Sequence, residues 1–267
     1  MDNNSEYIEA SGIFHGSANP LMGTRMDIIT IGTDKQIAEA AWKKICARGE
    51  ELDKMLSKTN PEGEVGRFNS GRMLAHSTVS RDLCRILSTA MEYRTSTMGL
   101  YDVALGKMSL VDLWEEQCTL SLYGAVLDFG GFRKGLLLEA CREELLSSGV
   151  KDAFVDIGNS AMLCLGKHPC GDSWTVQLTN PFSHTALTDI PVQDQAVSIS
   201  ANGPGFNGRI IHPRSGKAYE GRRLAAVTSP NPLDAKVLST ALMIAEDEEA
   251  EMLKARFPDA VFHCYGL

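Results

Sequence analysis

Apolar residues recur at helical spacing from Asp34 to Leu56, where Ile37, Ala41, Ile45 and Leu52 form one side of an amphipathic helix. Arg81 to Met98 and Phe132 to Ser147 repeat the pattern. Leu233 to Ala245 and Glu246 to Arg256 complete five predicted helices. Short apolar or alternating runs lie between them and read as strands: a pair over Gly12 to Ile31, then Ala153 to Leu165, Trp174 to Leu178, Ala196 to Ile199, Arg209 to Ile211 and Ala225 to Thr228, with Asp259 to Tyr265 closing the chain. Long helices between hairpin-like strands predict an α+β fold. There is no linker or low-complexity tract, so residues 12–267 read as one unit behind a polar tail over residues 1–11.

One stretch breaks the plain alternation. An apolar segment, Ala125 to Phe129, runs through Gly130 and Gly131 into Arg133, Lys134 and the amphipathic run Leu136 to Leu146, the whole reading LDFGGFRKG from Leu127 to Gly135. Two glycines let a backbone approach a ligand closely. The first amides of the following helix are expected to point outward, unsatisfied, with Lys134 adding a full charge. A negatively charged ligand, most often a phosphate, suits that arrangement; a strand-to-helix turn with a solvated lysine fits the same residues. The glycine spacing matches neither a Walker loop nor a dinucleotide fingerprint.

Composition narrows the classes. The 267 residues carry a net charge of −8, and 43% are hydrophobic. The core is therefore sizeable, while nucleic acid is a poor partner, since no basic stripe with interleaved aromatics occurs. No run approaches the about 18 apolar residues of a membrane span. The opening MDNNSEYIEASG has neither a signal peptide nor a lipid-attachment cysteine, which reads as cytoplasmic for the sequence as written. Seven scattered cysteines have no zinc spacing and read as buried thiols rather than a disulfide framework.

Further segments fall in a telling order: Met22-Gly23-Thr24; SKTNPEGEVGRFN from Ser57 to Asn69; Tyr101-Asp102; VDIGNS from Val155 to Ser160; RIIHPRSG from Arg209 to Gly216; AKVLSTAL from Ala235 to Leu242. With LDFGGFRKG, this set resembles the FAD:protein FMN transferase (ApbE) family over roughly Gly12 to Ala245. The family pattern runs MGT, Ser-Glu-x-x-x-x-Asn, F-D, D-L-G-G-x-x-K-G, N-x-G-G, H-I-I-D-P-x-T-G and A-D-A-L-S-T-A. The resemblance implies antiparallel sheets with helices packed on one side and an internal pseudo-duplication, the T-fold. It also implies FAD as ligand, magnesium at the pyrophosphate, and transfer of FMN onto a threonine or serine of an acceptor flavoprotein, with AMP leaving.

Carried over residue by residue, the resemblance assigns Met22, Tyr101, Asp102, Asp128, Gly130, Gly131, Lys134, Ile210 and Ser239 to FAD. A helix cap or turn acid is the alternative for Asp102 and Asp128, with the ligand role favoured because both sit in matched motifs. Gly131 and Thr240 match two magnesium-ligand positions. The third, an aspartate in the family, is Lys236 here. Lys236 and Thr240 lie four residues apart and share a helix face, whereas Asp234 lies on another. Arg209 stands at the family's catalytic histidine, with His212, on the opposite strand face, as a candidate substitute base. Thr59 replaces an aromatic, and VDIGNS lacks a second glycine. Three readings follow. The first is an FAD-binding member with magnesium-dependent transfer weakened or lost, Lys236 doing the ion's electrostatic work and magnesium absent. The second is an active FMN transferase with rearranged groups. The third is a binding or interaction module without flavin.

Overall fold

The computed structural model describes residues 2–73, 75–204 and 210–267. The chain opens with three strands, β1 (Asp2–Ile8), β2 (Ile13–Leu21) and β3 (Thr24–Ile31), followed by α1 (Lys35–Leu56). A short α2 (Glu64–Asn69), β4 (Ser77–Thr78), α3 (Arg81–Ser96), and the hairpin β5 (Val111–Trp114) and β6 (Thr119–Leu122) lead to α4 (Phe132–Ser147). Six strands come next: β7 (Asp152–Ile157), β8 (Ala161–Leu165), β9 (Trp174–Thr179), β10 (Ala186–Val192), β11 (Gln195–Ala201) and β12 (Arg223–Ser229). Then α5 (Pro232–Ile244), α6 (Asp247–Arg256) and β13 (Val261–Gly266) finish the chain.

Eight of these strands form one sheet in the order β1-β2-β3-β7-β8-β11-β12-β13, every pairing antiparallel. Helices α1, α4 and α5 pack on one face, against β2, β7/β8 and β11/β12 respectively. The β9–β10 hairpin covers the other face, where Trp174, Val176, Leu178, Ile190 and Val192 meet Cys164, Val197 and Ile199. The central strands β8 and β11 are thus buried on both faces, which is why β8 (AMLCL) reads as a continuous apolar run, while β11 buries Ser198 and Ser200 among its apolar residues. The fold is the α+β arrangement expected.

Local chemistry explains the helix starts. Asp34 accepts from the amides of Gln36 and Ile37; Ser80 accepts from Leu83; Asn231 accepts from Leu233 and Asp234, ahead of Pro232 in the first turn. Glu246 and Glu249 make a reciprocal capping box for α6. Helix α5 has almost no polar face because it lies between the sheet and α4.

Several expectations need correction. Ile37 is exposed; the buried stripe of α1 runs through Ala38, Ala41, Trp42, Ile45, Cys46, Gly49, Leu52 and Leu56. Ala153 to Leu165 is two strands, broken at Gly158 and Asn159, which both take positive φ as a tight hairpin turn requires. The residues expected to form a polar tail include the edge strand β1, held by a 2.7 Å hydrogen bond from the Trp42 indole to Asn3. Gly16 is needed beneath that indole, since a Cβ there would sit 2.7 Å from the ring. Ile211 makes only an isolated bridge to Ala218, and Arg209, the start of that predicted strand, lies outside the described residues. Of the thiols, Cys46, Cys84, Cys141 and Cys164 are buried, Cys118 is half-buried, and Cys170 and Cys264 are exposed. Among the described residues no helix is long and apolar enough to cross a membrane.

Candidate functional site

The strand register brings the β2–β3 turn, the β7–β8 turn and the end of β11 to one edge of the sheet. Met26 pairs Ile157, Asp156 pairs Met162, and Ser198 pairs Ala161. The first turn of α4 and the middle of α5 meet above that edge. A Cβ on Gly131 would lie 3.2 Å from Lys236 Cε and 4.0 Å from Thr240 Oγ1, so both α5 side chains face the glycine turn. On the neighbouring turn, a Cβ on Gly158 would meet Thr24 Oγ1 at 2.4 Å and Lys134 Nζ at 3.1 Å. The Met22-Gly23-Thr24 turn, the Gly158 turn, Gly131, Lys134, Lys236 and Thr240 therefore converge.

A polar ladder that the sequence did not reveal joins the two lysines. Lys134 Nζ donates to Ser160 Oγ at 2.9 Å. Ser198 Oγ donates to the Ser160 carbonyl at 3.2 Å. Ser239 Oγ lies 2.9 Å from Ser198 Oγ and 3.0 Å from Ser200 Oγ. Lys236 Nζ donates to Ser200 Oγ at 3.4 Å. Ser239, assigned to FAD by resemblance, is fully buried inside this ladder. Thr240 Oγ1 donates back to the Lys236 carbonyl at 3.2 Å.

Both ammonium groups are poorly hydrated. Burial pushes Lys236 down from 10.5 to about 7, helped by the positive charge of Lys134. Burial also lowers Lys134, against the pull of the Asp156 carboxylate and with a further push from Arg133. Among the described residues, neither lysine forms an ion pair with a carboxylate. The site therefore presents two crowded, partly dehydrated cations, an arrangement that an anion with two charges would relieve.

The amides at the start of α4 are largely engaged, unlike the sequence expectation. Gly130 N–H donates to Asp128 Oδ1 at 2.9 Å. The Phe132 backbone hydrogen-bonds the buried Tyr101 hydroxyl. Arg133 N–H reaches the Phe129 carbonyl at 3.0 Å, and Lys134 N–H the Gly131 carbonyl at 3.2 Å. The turn satisfies its own donors because Asp128 and Tyr101 are within reach, so the lysines, not the helix amides, carry the positive character.

The remaining assigned residues divide. Asp128 bonds Lys58 Nζ at 2.7 Å, placing a third lysine beside the glycine turn. Asp102 is buried as a turn acid: it accepts from the amides of Ala104 at 2.7 Å and Gly106 at 3.1 Å, and from Arg94 at 3.3 Å. Met22 is buried at φ 53°, its amide donating to Asp53 at 3.1 Å, and Asp53 also accepts from Arg133. Ile210 packs beside Tyr219 over the α5 core, and its carbonyl accepts from the Tyr219 amide. The His212 Nδ1 accepts from Arg214 N–H at 3.2 Å, and the Arg214 side chain pairs with Glu249 of α6. Arg209 lies outside the described residues.

Sequence reasoning missed Lys58, Asp53, Ser160, Ser198 and Ser200. Lys58 and Asn69 lie in a segment singled out by its motif, and Asn69 explains that motif. Its side chain accepts from Leu127 N–H at 2.9 Å and donates to the carbonyls of Leu127 and Lys58, clamping the glycine segment to the Lys58 segment. Among the described residues, no group of three or more His, Cys, Asp or Glu is placed to hold a metal ion.

Comparison with known proteins places this geometry in context. The family model described as the ApbE family matches residues 22–121 and 116–262. An FAD:protein FMN transferase of Salmonella typhimurium is 23% identical over 90% of this chain and 81% of its own length. One from Rhodobacter capsulatus is 22% identical over 88% of this chain and 52% of its own. In three dimensions, the flavin transferase ApbE of Vibrio cholerae superposes with a TM-score of 0.77 at 20% identity, covering 96% of this chain and 97% of the other. The ApbE protein of Thermotoga maritima gives 0.77 at 18% identity, covering 93% of each. At these identities the structural likeness speaks for the fold.

Proposed function

The chain belongs to the ApbE family, and from that premise we propose that it binds FAD at the Gly131–Lys236 junction while magnesium-dependent FMN transfer is weakened or lost. The observation that carries the reading is the Lys236 side chain, which lies against Gly131 and Thr240, where the family pattern calls for an aspartate and a metal ion. Lys134 and Lys236 would neutralise the FAD pyrophosphate. Lys58, held by Asp128, adds charge at the rim. The serine ladder fixes the Lys236 ammonium, and Asn69 holds the glycine turn in place.

Magnesium does not fit this donor set. A hydroxyl and a carbonyl without a carboxylate are a weak site for an ion that keeps most of its waters. While Lys236 is protonated, a divalent cation about 4 Å away is repelled by roughly 8 kcal/mol at an effective dielectric of about 20. Neutral Lys236 would offer only an amine, and magnesium prefers oxygen.

Transfer also needs a base for the acceptor hydroxyl. Arginine, at position 209, does not release its proton near neutrality, and His212 is engaged with Arg214 on the α6 side. The test combines FAD, magnesium and an acceptor protein of an active relative, with covalent flavin read by gel fluorescence. Little or no labelled acceptor is expected, and Arg209→His with Lys236→Asp is expected to raise it. Labelling by the unchanged protein at a relative's rate would overturn the loss of transfer and favour the second reading, which the relatives' activity supports. Failure to take up FAD at all would favour a non-flavin module.

A further inference from the structure

Two of the seven cysteines converge on one backbone carbonyl, away from the lysine site. Cys84 is in the first turn of α3, buried against the core. Cys118 closes the β5–β6 turn with φ 44°. Both thiols donate to the Glu115 carbonyl, at 3.7 Å from Cys84 and 3.6 Å from Cys118, so the two sulfurs converge on one oxygen. The turn is held from both sides: Cys118 N–H reaches the same carbonyl at 3.1 Å, and the Cys118 carbonyl accepts Val79 N–H at 2.8 Å. The Ser88 hydroxyl of α3 adds a bond to the Glu115 carboxylate at 2.8 Å.

The pair is asymmetric in access. Cys118 is half-exposed at the hairpin tip, whereas Cys84 is buried behind it. Burial and the neighbouring sulfur push the Cys84 thiol up to about 11, so it resists direct oxidation. The other exposed thiols, Cys170 and Cys264, sit in a loop beyond β8 and in β13.

We propose that Cys84 and Cys118 are a reversible redox pair, closed into an intramolecular disulfide by a hydroperoxide-class oxidant. Hydrogen peroxide converts the Cys118 thiol to a sulfenic acid and leaves one water. The Cys84 sulfur then attacks the Cys118 sulfur; the S–O bond breaks, the Cys84 proton departs with the hydroxyl as a second water, and the S–S bond forms. Two electrons pass from the two thiols to one peroxide. An S–S bond is about 2.05 Å long, and both thiols already converge on the Glu115 carbonyl, so closure asks for side-chain rotation and a shift of the turn. The product staples α3, whose Arg94 holds Asp102, to the hairpin whose second strand leads into the glycine segment. A thiol reductant reverses it.

The test treats the intact, purified protein with hydrogen peroxide, alkylates remaining thiols under denaturing conditions, and maps non-reduced peptides by mass spectrometry. The expected result is a Cys84–Cys118 linked peptide that dithiothreitol abolishes, with Cys46, Cys141 and Cys164 still alkylated. In Cys84→Ser, Cys118 should instead accumulate as a sulfenic acid trapped by dimedone. A Cys118 that goes to sulfinic acid in the wild type while Cys84 stays alkylated would overturn the proposal. So would links confined to Cys170 or Cys264. The wild-type map decides the matter even if the variant fails to fold.

Discussion

Replacing Lys236 by methionine should make this protein more stable, by an amount that depends on pH. The stem of Lys236 packs between α4 and α5 with 7% of the residue exposed, and a methionine fills nearly the same volume. In the folded chain its ammonium is pushed down from 10.5 to about 7. Each tenfold change in acidity is worth about 1.4 kcal/mol, so keeping the charge buried costs about 5 kcal/mol. Methionine forfeits the 3.4 Å bond to Ser200, worth about 1 kcal/mol. Because the folded value lies below the unfolded one, the burden is fully present below about pH 7 and fades as pH climbs toward 10.5. The net gain should be about 4 kcal/mol at pH 6 and about 1 kcal/mol at pH 9. Urea denaturation of both proteins at the two pH values reads the difference directly. A gain equal at both pH values, or a methionine variant less stable than the parent, would refute the claim that a destabilised ammonium sits in this site. The same substitution should weaken FAD binding, since it trades a binding charge for stability.

Other perturbations separate structural acids from the binding surface. Asp102→Ala strips a buried carboxylate from two amides and Arg94, and should lower unfolding free energy by about 3 kcal/mol; a loss under 1 kcal/mol by denaturation would contradict its turn role. Burial beside Glu143 and Asp234 raises Glu139 to about 7, above its unfolded value, so its ionised form is a burden above pH 7 that disappears below about 4.5. Glu139→Gln should therefore stabilise by about 2 kcal/mol at pH 8 and not at pH 4.5, and a gain equal at both would count against it. Gly158→Ala forces a side chain at φ +63° into Thr24 and toward Lys134; it should lose about 1–2 kcal/mol and weaken FAD binding several-fold by titration.

The long helices and several of the strand runs were legible because they rest on periodicity and caps. Phe132 to Ser147 is the α4 observed, and Asp34 is the cap of α1. Edge strand β1 was not, because its residues are polar and exposed and lack the apolar alternation of a strand, although it pairs with β2 along its whole length and Trp42 bonds Asn3 from α1. At the site, the convergence of Gly131, Lys236 and Thr240 followed from helix spacing and matched motifs. The engagement of the α4 amides did not, since Tyr101 and Asp128 reach them from separate turns. The serine ladder spans β7–β8, β11 and α5, and serines in apolar strands carry no signal of pairing until the register is known. Lys58 lay within a segment noted for its motif, yet its partner, Asp128, is 70 residues away.

FAD binding measured by fluorescence quenching at pH 6.5, with EDTA and then with excess magnesium, tests the central claim most directly. With Lys236 supplying the charge at the pyrophosphate, the two dissociation constants should agree within about twofold, while Lys236→Asp should bind FAD only when magnesium is added. Loss of FAD from the unchanged protein on adding EDTA, recovered by magnesium, would contradict the account.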